Sequence, residues 1–89
     1  MYTLAITKTF KRDVESLQNK DQKLKEVLDL LKETGTLPFV PYQTHRLKGE
    51  WKDCVEAHIE FDLLIIWEEL DNNIIKLLRI GTHSKLFGR

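Results

Sequence analysis

Three histidines, His45, His58 and His83, are the side chains of this chain best suited to moving protons near neutral pH. Asp62 stands four residues after His58, across what reads as a tight connection between two strands, where a carboxylate can orient an imidazole. Two such groups and a cation that holds a phosphate suffice for metal-free cleavage of RNA. One group takes the 2′-hydroxyl proton, the other protonates the departing 5′-oxygen, and a 2′,3′-cyclic phosphate results. Acid–base help of this kind contributes about 10²–10⁴-fold, and the rest must come from cations that stabilise the phosphorane. DNA lacks the internal nucleophile. The rival chemistry is a three-histidine zinc site. No two histidines are spaced as i, i+2 or i+4 and no cysteine pair assists, so the reading is of no metal and no cofactor.

Cations stand near each end of this set. Arg79 precedes Gly81 and His83 on the same side of an alternating stretch, where its guanidinium offers a fork for a phosphate. His45 opens the run His45-Arg46-Leu47-Lys48-Gly49-Glu50-Trp51-Lys52, in which a histidine and basic residues flank an aromatic ring able to stack on a base. The chain has fourteen basic and fourteen acidic residues, which argues against strong free binding to nucleic acid. From Ile74 to Arg89, however, Lys76, Arg79, Lys85 and Arg89 meet no acid.

The elements that must position these groups follow from periodicity. Eighty-nine residues are enough for a single domain, 1–89, with one main core. Tyr2 to Ile6 alternates as a short strand. Thr7 caps a helix running to about Leu17 with Phe10, Val14 and Leu17 on one stripe. Asn19-Lys20 breaks it and Asp21 caps a second helix carrying Leu24, Val27, Leu28 and Leu31, which Gly35 ends. Leu37 to Pro41 reads as a loop. Strands are then expected over His45 to Leu47, Asp53 to Ile59, Leu63 to Glu69 and Ile74 to Ile80, with Asp71-Asn72-Asn73 as a hairpin turn. The reading is an α+β fold, β-α-α-β-β-β-β, with an antiparallel sheet of four to five strands and the helix hairpin packed on one face. The last strand is placed to pair beside the first. Alternation puts Glu56 and His58 on the face away from the helices, expected to be open to solvent, and Val55, Ala57 and Ile59 on the other.

Cys54 follows an acidic residue in a strand-like stretch and reads as a plain thiol; one cysteine suits a reducing cytoplasm. No apolar run approaches a membrane span, and the first residues lack the basic leader of a signal peptide.

These stretches resemble the RelE superfamily of toxins from bacterial toxin–antitoxin modules, most closely its YafQ-like branch. The resemblance covers essentially the whole chain. It runs from Lys8-Thr9-Phe10-Lys11-Arg12-Asp13 through Thr36-Leu37-Pro38 and the His45 to Lys52 run. It continues through Glu56-Ala57-His58-Ile59-Glu60-Phe61-Asp62-Leu63 and ends on Arg79-Ile80-Gly81-Thr82-His83-Ser84-Lys85-Leu86-Phe87-Gly88. It implies a ribosome-dependent endoribonuclease, an mRNA interferase acting in the ribosomal A site without a metal. It also implies a cognate antitoxin, with which the chain forms a hetero-oligomer. His45, His58, Asp62 and His83 fall on the catalytic positions; Arg79, Phe87, Lys52 and Arg46 are the expected substrate-binding residues. The alternative within the superfamily is a ParE-like gyrase poison without ribonuclease activity. Two departures stand out: Leu63 replaces the aromatic that normally follows the aspartate, and the chain is neutral where relatives are basic.

Overall fold

A computed structural model describes residues 1–17 and 22–88. The expected helix break at Asn19-Lys20, the cap at Asp21 and the charge of Arg89 lie outside them. Alternation in the first residues makes strand β1 (Thr3–Ile6), after which the Thr7 side chain accepts the Phe10 amide and starts α1 (Lys8–Ser16). Helix α2 (Gln22–Thr34) is followed by Gly35 with φ +79°, the left-handed conformation in which glycine costs least. A Cβ at Gly35 would collide with the Tyr2 ring, so the position excludes a side chain twice over.

The proline-bearing loop holds a short kinked turn, α3 (Phe39–Tyr42), broken at Val40. Strand β2 (His45–Arg46) and a 3-10 turn at Gly49–Trp51 lead to β3 (Cys54–Glu60), β4 (Leu63–Leu70) and β5 (Ile74–Gly81). The β4–β5 turn places Asn72 and Asn73 at φ 62° and 58°, as expected of asparagine in a tight hairpin.

The described residues form a five-stranded sheet in the order β1-β5-β4-β3-β2. β2 to β5 are an antiparallel meander, but β1 pairs parallel to β5, with Thr3 opposite Ile74 and Ile6 opposite Leu77. The sheet is therefore mixed and not purely antiparallel. The chain between the two parallel strands is far longer than such a connection needs: α1 and α2 lead from β1 at one edge of the sheet towards β2 at the other, and the meander then returns to β5. The last described element was not expected from periodicity. Thr82 accepts the Lys85 amide and starts a helix of five residues, α4 (His83–Phe87), which Gly88 ends at φ 74°.

The main core lies between the sheet and α1–α2. It joins Phe10, Val27 and Leu31 to Val55, Ala57, Ile59, Ile65, Trp67, Leu77 and Ile80. The other face of the sheet is not simply open. Leu64, Ile66 and Cys54 are buried there beneath Leu86 of α4, with Leu47, Trp51, Leu78 and Phe87 around them. Glu56, expected on a solvent face, stands opposite Ile66 of this cluster and beside His45 and His58, and its side chain is only 6% exposed.

Two irregularities aim the strand ends. Ile59 is extra in β3 between the pairs His58–Leu64 and Glu60–Leu63, and Leu78 is extra in β5 between Leu77–Trp67 and Arg79–Ile66. Bulges of this kind bend a strand and redirect the side chains that follow.

Candidate active site

The sheet face opposite the helices gathers the three histidines into one row. His45 comes from β2, His58 from β3 and His83 from the first turn of α4. Their ring centroids are 6.4 Å apart from His45 to His58 and 5.7 Å from His58 to His83, both edge to face. The row continues through Phe87, whose ring centroid is 6.3 Å from His83 and 6.1 Å from Trp51. Register produces part of this: His45 lies directly opposite Glu56 in the β2–β3 pair, and His58 follows two residues along on the same face.

Each end of the row is fixed by a carboxylate. Asp62, at the tip of the β3–β4 hairpin, takes the His83 backbone amide and the His83 ring Nδ1 on one oxygen, both at 3.1 Å. Those two hydrogen bonds, backbone first, hold the Asp62 carboxyl below the usual carboxylate range. With Nδ1 bound to the carboxylate, Nε2 of His83 is the ring nitrogen left for other partners. At the far end, His45 Nδ1 lies 2.9 Å from the Gln43 carbonyl and Nε2 lies 3.1 Å from Glu56 Oε1. A carbonyl only accepts, so Nδ1 carries a proton. Nε2 can then bond Glu56 only if one of the two groups supplies a second proton. The same Glu56 oxygen is 3.8 Å from His58 Nε2, so one buried carboxylate faces two imidazoles.

Glu56 is the candidate site residue that sequence reasoning passed over. Its face was read correctly, but its place between two imidazoles joins β2 to β3, which alternation along one strand does not show.

Arg79 reaches the sheet edge instead of an open fork. Its Nε and Nη2 donate to Asp13 at 2.7 and 3.2 Å, and the Ile80 amide donates to the same carboxylate at 3.1 Å. Lys85 Nζ stands 3.8 Å away. Burial pushes the Asp13 carboxyl up, but the Arg79 hydrogen bonds, the Ile80 amide and the two cations together hold it below its ordinary value. Bonding to Asp13 in turn raises the Arg79 guanidinium.

The other expected binding residues divide. Phe87 joins the row. Lys52 is exposed just after the turn whose Trp51 packs on Phe87. Arg46 is not brought to the row: opposite Val55 in the β2–β3 pair, it lies on the helix side and pairs with Glu69 at 2.9 Å. Burial, then Glu68 and Asp53, push the Cys54 thiol up, in keeping with a plain thiol.

A hollow of about 470 Å³ opens beside the row, lined by Pro41, Gln43, His58, Phe61, Asp62 and His83 among others. A larger hollow of about 650 Å³, between β1 and α2, contains no histidine. Among the described residues, no group of three or more histidine, cysteine or acidic side chains is placed to share a metal ion.

These features define a RelE-like α+β domain with an imidazole–carboxylate row on the sheet face opposite its helix pair. The chain matches, over residues 2–88, the family described as the bacterial toxin of type II toxin-antitoxin system, YafQ, and it belongs to that family. It is 37% identical over 83 residues to the mRNA interferase toxin YafQ of Escherichia coli K12, an endoribonuclease, covering 89% of this chain and 88% of that one. The fold is shared with YafQ in the E. coli DinJ-YafQ toxin-antitoxin complex (TM-score 0.83, 35% identity, 98% of each chain). It is shared equally with a metal-bound toxin from Helicobacter pylori (TM-score 0.85, 33% identity, 98% of this chain and 100% of that one). These relatives lend no support to the gyrase-poisoning alternative.

Proposed function

We propose that this protein is a ribosome-dependent endoribonuclease that cuts messenger RNA in the ribosomal A site without a metal. In this reading it acts in the cytoplasm and is neutralised by a cognate antitoxin. The observation that carries the chemistry is the row of three imidazoles closed at each end by a carboxylate. His83, with Nδ1 turned to Asp62, takes the 2′-hydroxyl proton on Nε2. The 2′-oxygen attacks phosphorus, the bond to the 5′-oxygen breaks, and that oxygen receives a proton from the His58–His45 end, where Glu56 holds the imidazoles. The products are a 2′,3′-cyclic phosphate and a 5′-hydroxyl. Arg79 keeps Nη1 for the phosphate while its other nitrogens hold Asp13, and Phe87 and Lys52 border the substrate.

A net charge of zero leaves little counterion release to drive binding of free RNA, which supports a substrate delivered on the ribosome. The E. coli relative forms a complex with DinJ, which supports an antitoxin partner here. No helix among the described residues is long and apolar enough to cross a membrane.

The test is a reconstituted translation reaction with mapped message ends. Cleavage within codons is expected only when ribosomes are present, unaffected by a chelator and abolished by His83→Ala. Chelator-sensitive cutting would overturn the metal-free route. An intact message with blocked DNA supercoiling would overturn the ribonuclease reading itself.

A further inference from the structure

The hairpin between β3 and β4 consists of Phe61 and Asp62, and the two residues differ sharply in what holds them. Asp62 is bound to His83, whereas Phe61 is 98% exposed, so both faces of its ring are bare. Phe61 nonetheless lines the same hollow as His58, Asp62 and His83. Leu63, on the other side of Asp62, cannot serve this hollow because its side chain packs into the main core with the helices. The ring of Phe87 is already engaged by Trp51 and His83. Among the described residues, Phe61 thus has no ring stacked on it, unlike Phe87.

We propose that Phe61 is the stacking platform for a nucleobase flanking the scissile phosphate. The proposal rests on the ribonuclease reading of the row. Asp62 has a fixed orientation toward His83, and the ring one residue before it is anchored to the same turn. A base laid on Phe61 is therefore held at a set distance from the group that takes the proton. Every base has a π-face, so such a platform supplies affinity with little sequence preference. The bulge at Ile59 lies immediately before this hairpin, where a strand end is commonly re-aimed.

The experiment compares wild type with Phe61→Ala, Phe61→Leu and Phe61→Trp by two readouts. One is kcat/KM for cleavage on programmed ribosomes. The other is quenching of 2-aminopurine placed in the A-site codon of a ribosome-bound message whose scissile ribose is 2′-deoxy. Substitution of an exposed turn residue is expected to leave the fold intact, and circular dichroism of each variant checks this. Alanine and leucine are expected to lower kcat/KM roughly 5- to 150-fold, the range for losing one stacked base, and to lose the quench. Tryptophan is expected to keep both. Leucine matching wild type would overturn the proposal, because it preserves apolar bulk without a ring. Unchanged cleavage with weakened antitoxin or ribosome capture would overturn it as well, making Phe61 a protein contact. If wild type cuts no message yet quenches through Phe61, the ribonuclease reading fails and the platform stands. If it does neither, both fail.

Discussion

Asp13 offers the sharpest test of how this small domain is held together. Its carboxylate, 5% exposed, accepts Arg79 Nε at 2.7 Å, Arg79 Nη2 at 3.2 Å and the Ile80 amide at 3.1 Å. β1 pairs with β5 only as far as Leu77, and Asp13 takes over the β5 edge beyond it. Asp13→Ala leaves the Ile80 amide without its acceptor and Arg79 without its counter-charge. Removing one partner of a buried pair costs about 3–5 kcal/mol. Arg79 keeps 24% of its side-chain exposure, so water recovers part of that and the loss should be about 2–4 kcal/mol. A domain of this length has roughly 4–13 kcal/mol in all, so the variant gives up a large share. The melting temperature should fall by roughly 10–30 °C, and the urea midpoint should drop with little change in slope. Because the folded carboxyl lies below its ordinary 3.8, it stabilises fully above that value and progressively less as pH falls toward the folded one. Asp13→Asn lacks this slope, so its deficit against wild type should shrink below about pH 4. A deficit for Asp13→Ala under about 1 kcal/mol, or one independent of pH, would refute the assignment of Asp13 as a buried ionic clamp.

Further expectations concern single positions. Asp62→Asn should lower ribosomal cleavage about 10²–10⁴-fold with the melting temperature nearly unchanged, since an amide facing Nδ1 favours the wrong tautomer of His83; a loss under tenfold would remove Asp62 from the reaction. Gly35→Ala should destabilise by more than about 2 kcal/mol in urea titration, from positive φ combined with collision against Tyr2. Cys54, 7% exposed and pushed toward the thiol form, should react with a thiol reagent at pH 7 only as fast as the domain opens; complete labelling of the native protein within seconds would contradict this.

The sequence exposed what was periodic and hid what was relational. Alternation located β3, β4 and β5 to within a residue, and Thr7, Gly35 and the Asn72–Asn73 turn marked their own positions because their conformations select residue type. Five residues of α4 are too few for a helical stripe to show, and with α4 unseen the apolar cluster that Leu86 completes could not be read. The bulges at Ile59 and Leu78 leave no trace in polarity, since an apolar residue suits either face there. Asp13 looks like any acid in a polar helix start; its partners Arg79 and Ile80 are 66 and 67 positions away. Histidines 45, 58 and 83 emerged as a set by strand parity and family resemblance, whereas Arg46 followed its neighbours in the sequence and fell on the wrong side of the sheet.

The row is assembled from four stretches of chain: β2, β3, the β3–β4 turn and α4. Neighbours in space such as His58 and His83 are distant along the backbone, so only the completed sheet brings them together. Such non-local pairings form late and disappear together when a small domain unfolds cooperatively. On the proposed reading the nuclease chemistry is then indivisible: a nicked, truncated or half-folded copy would hold acids and bases that never meet. Catalytic competence becomes a faithful reporter of global folding, and denaturants should silence the protein along the same curve that unfolds it.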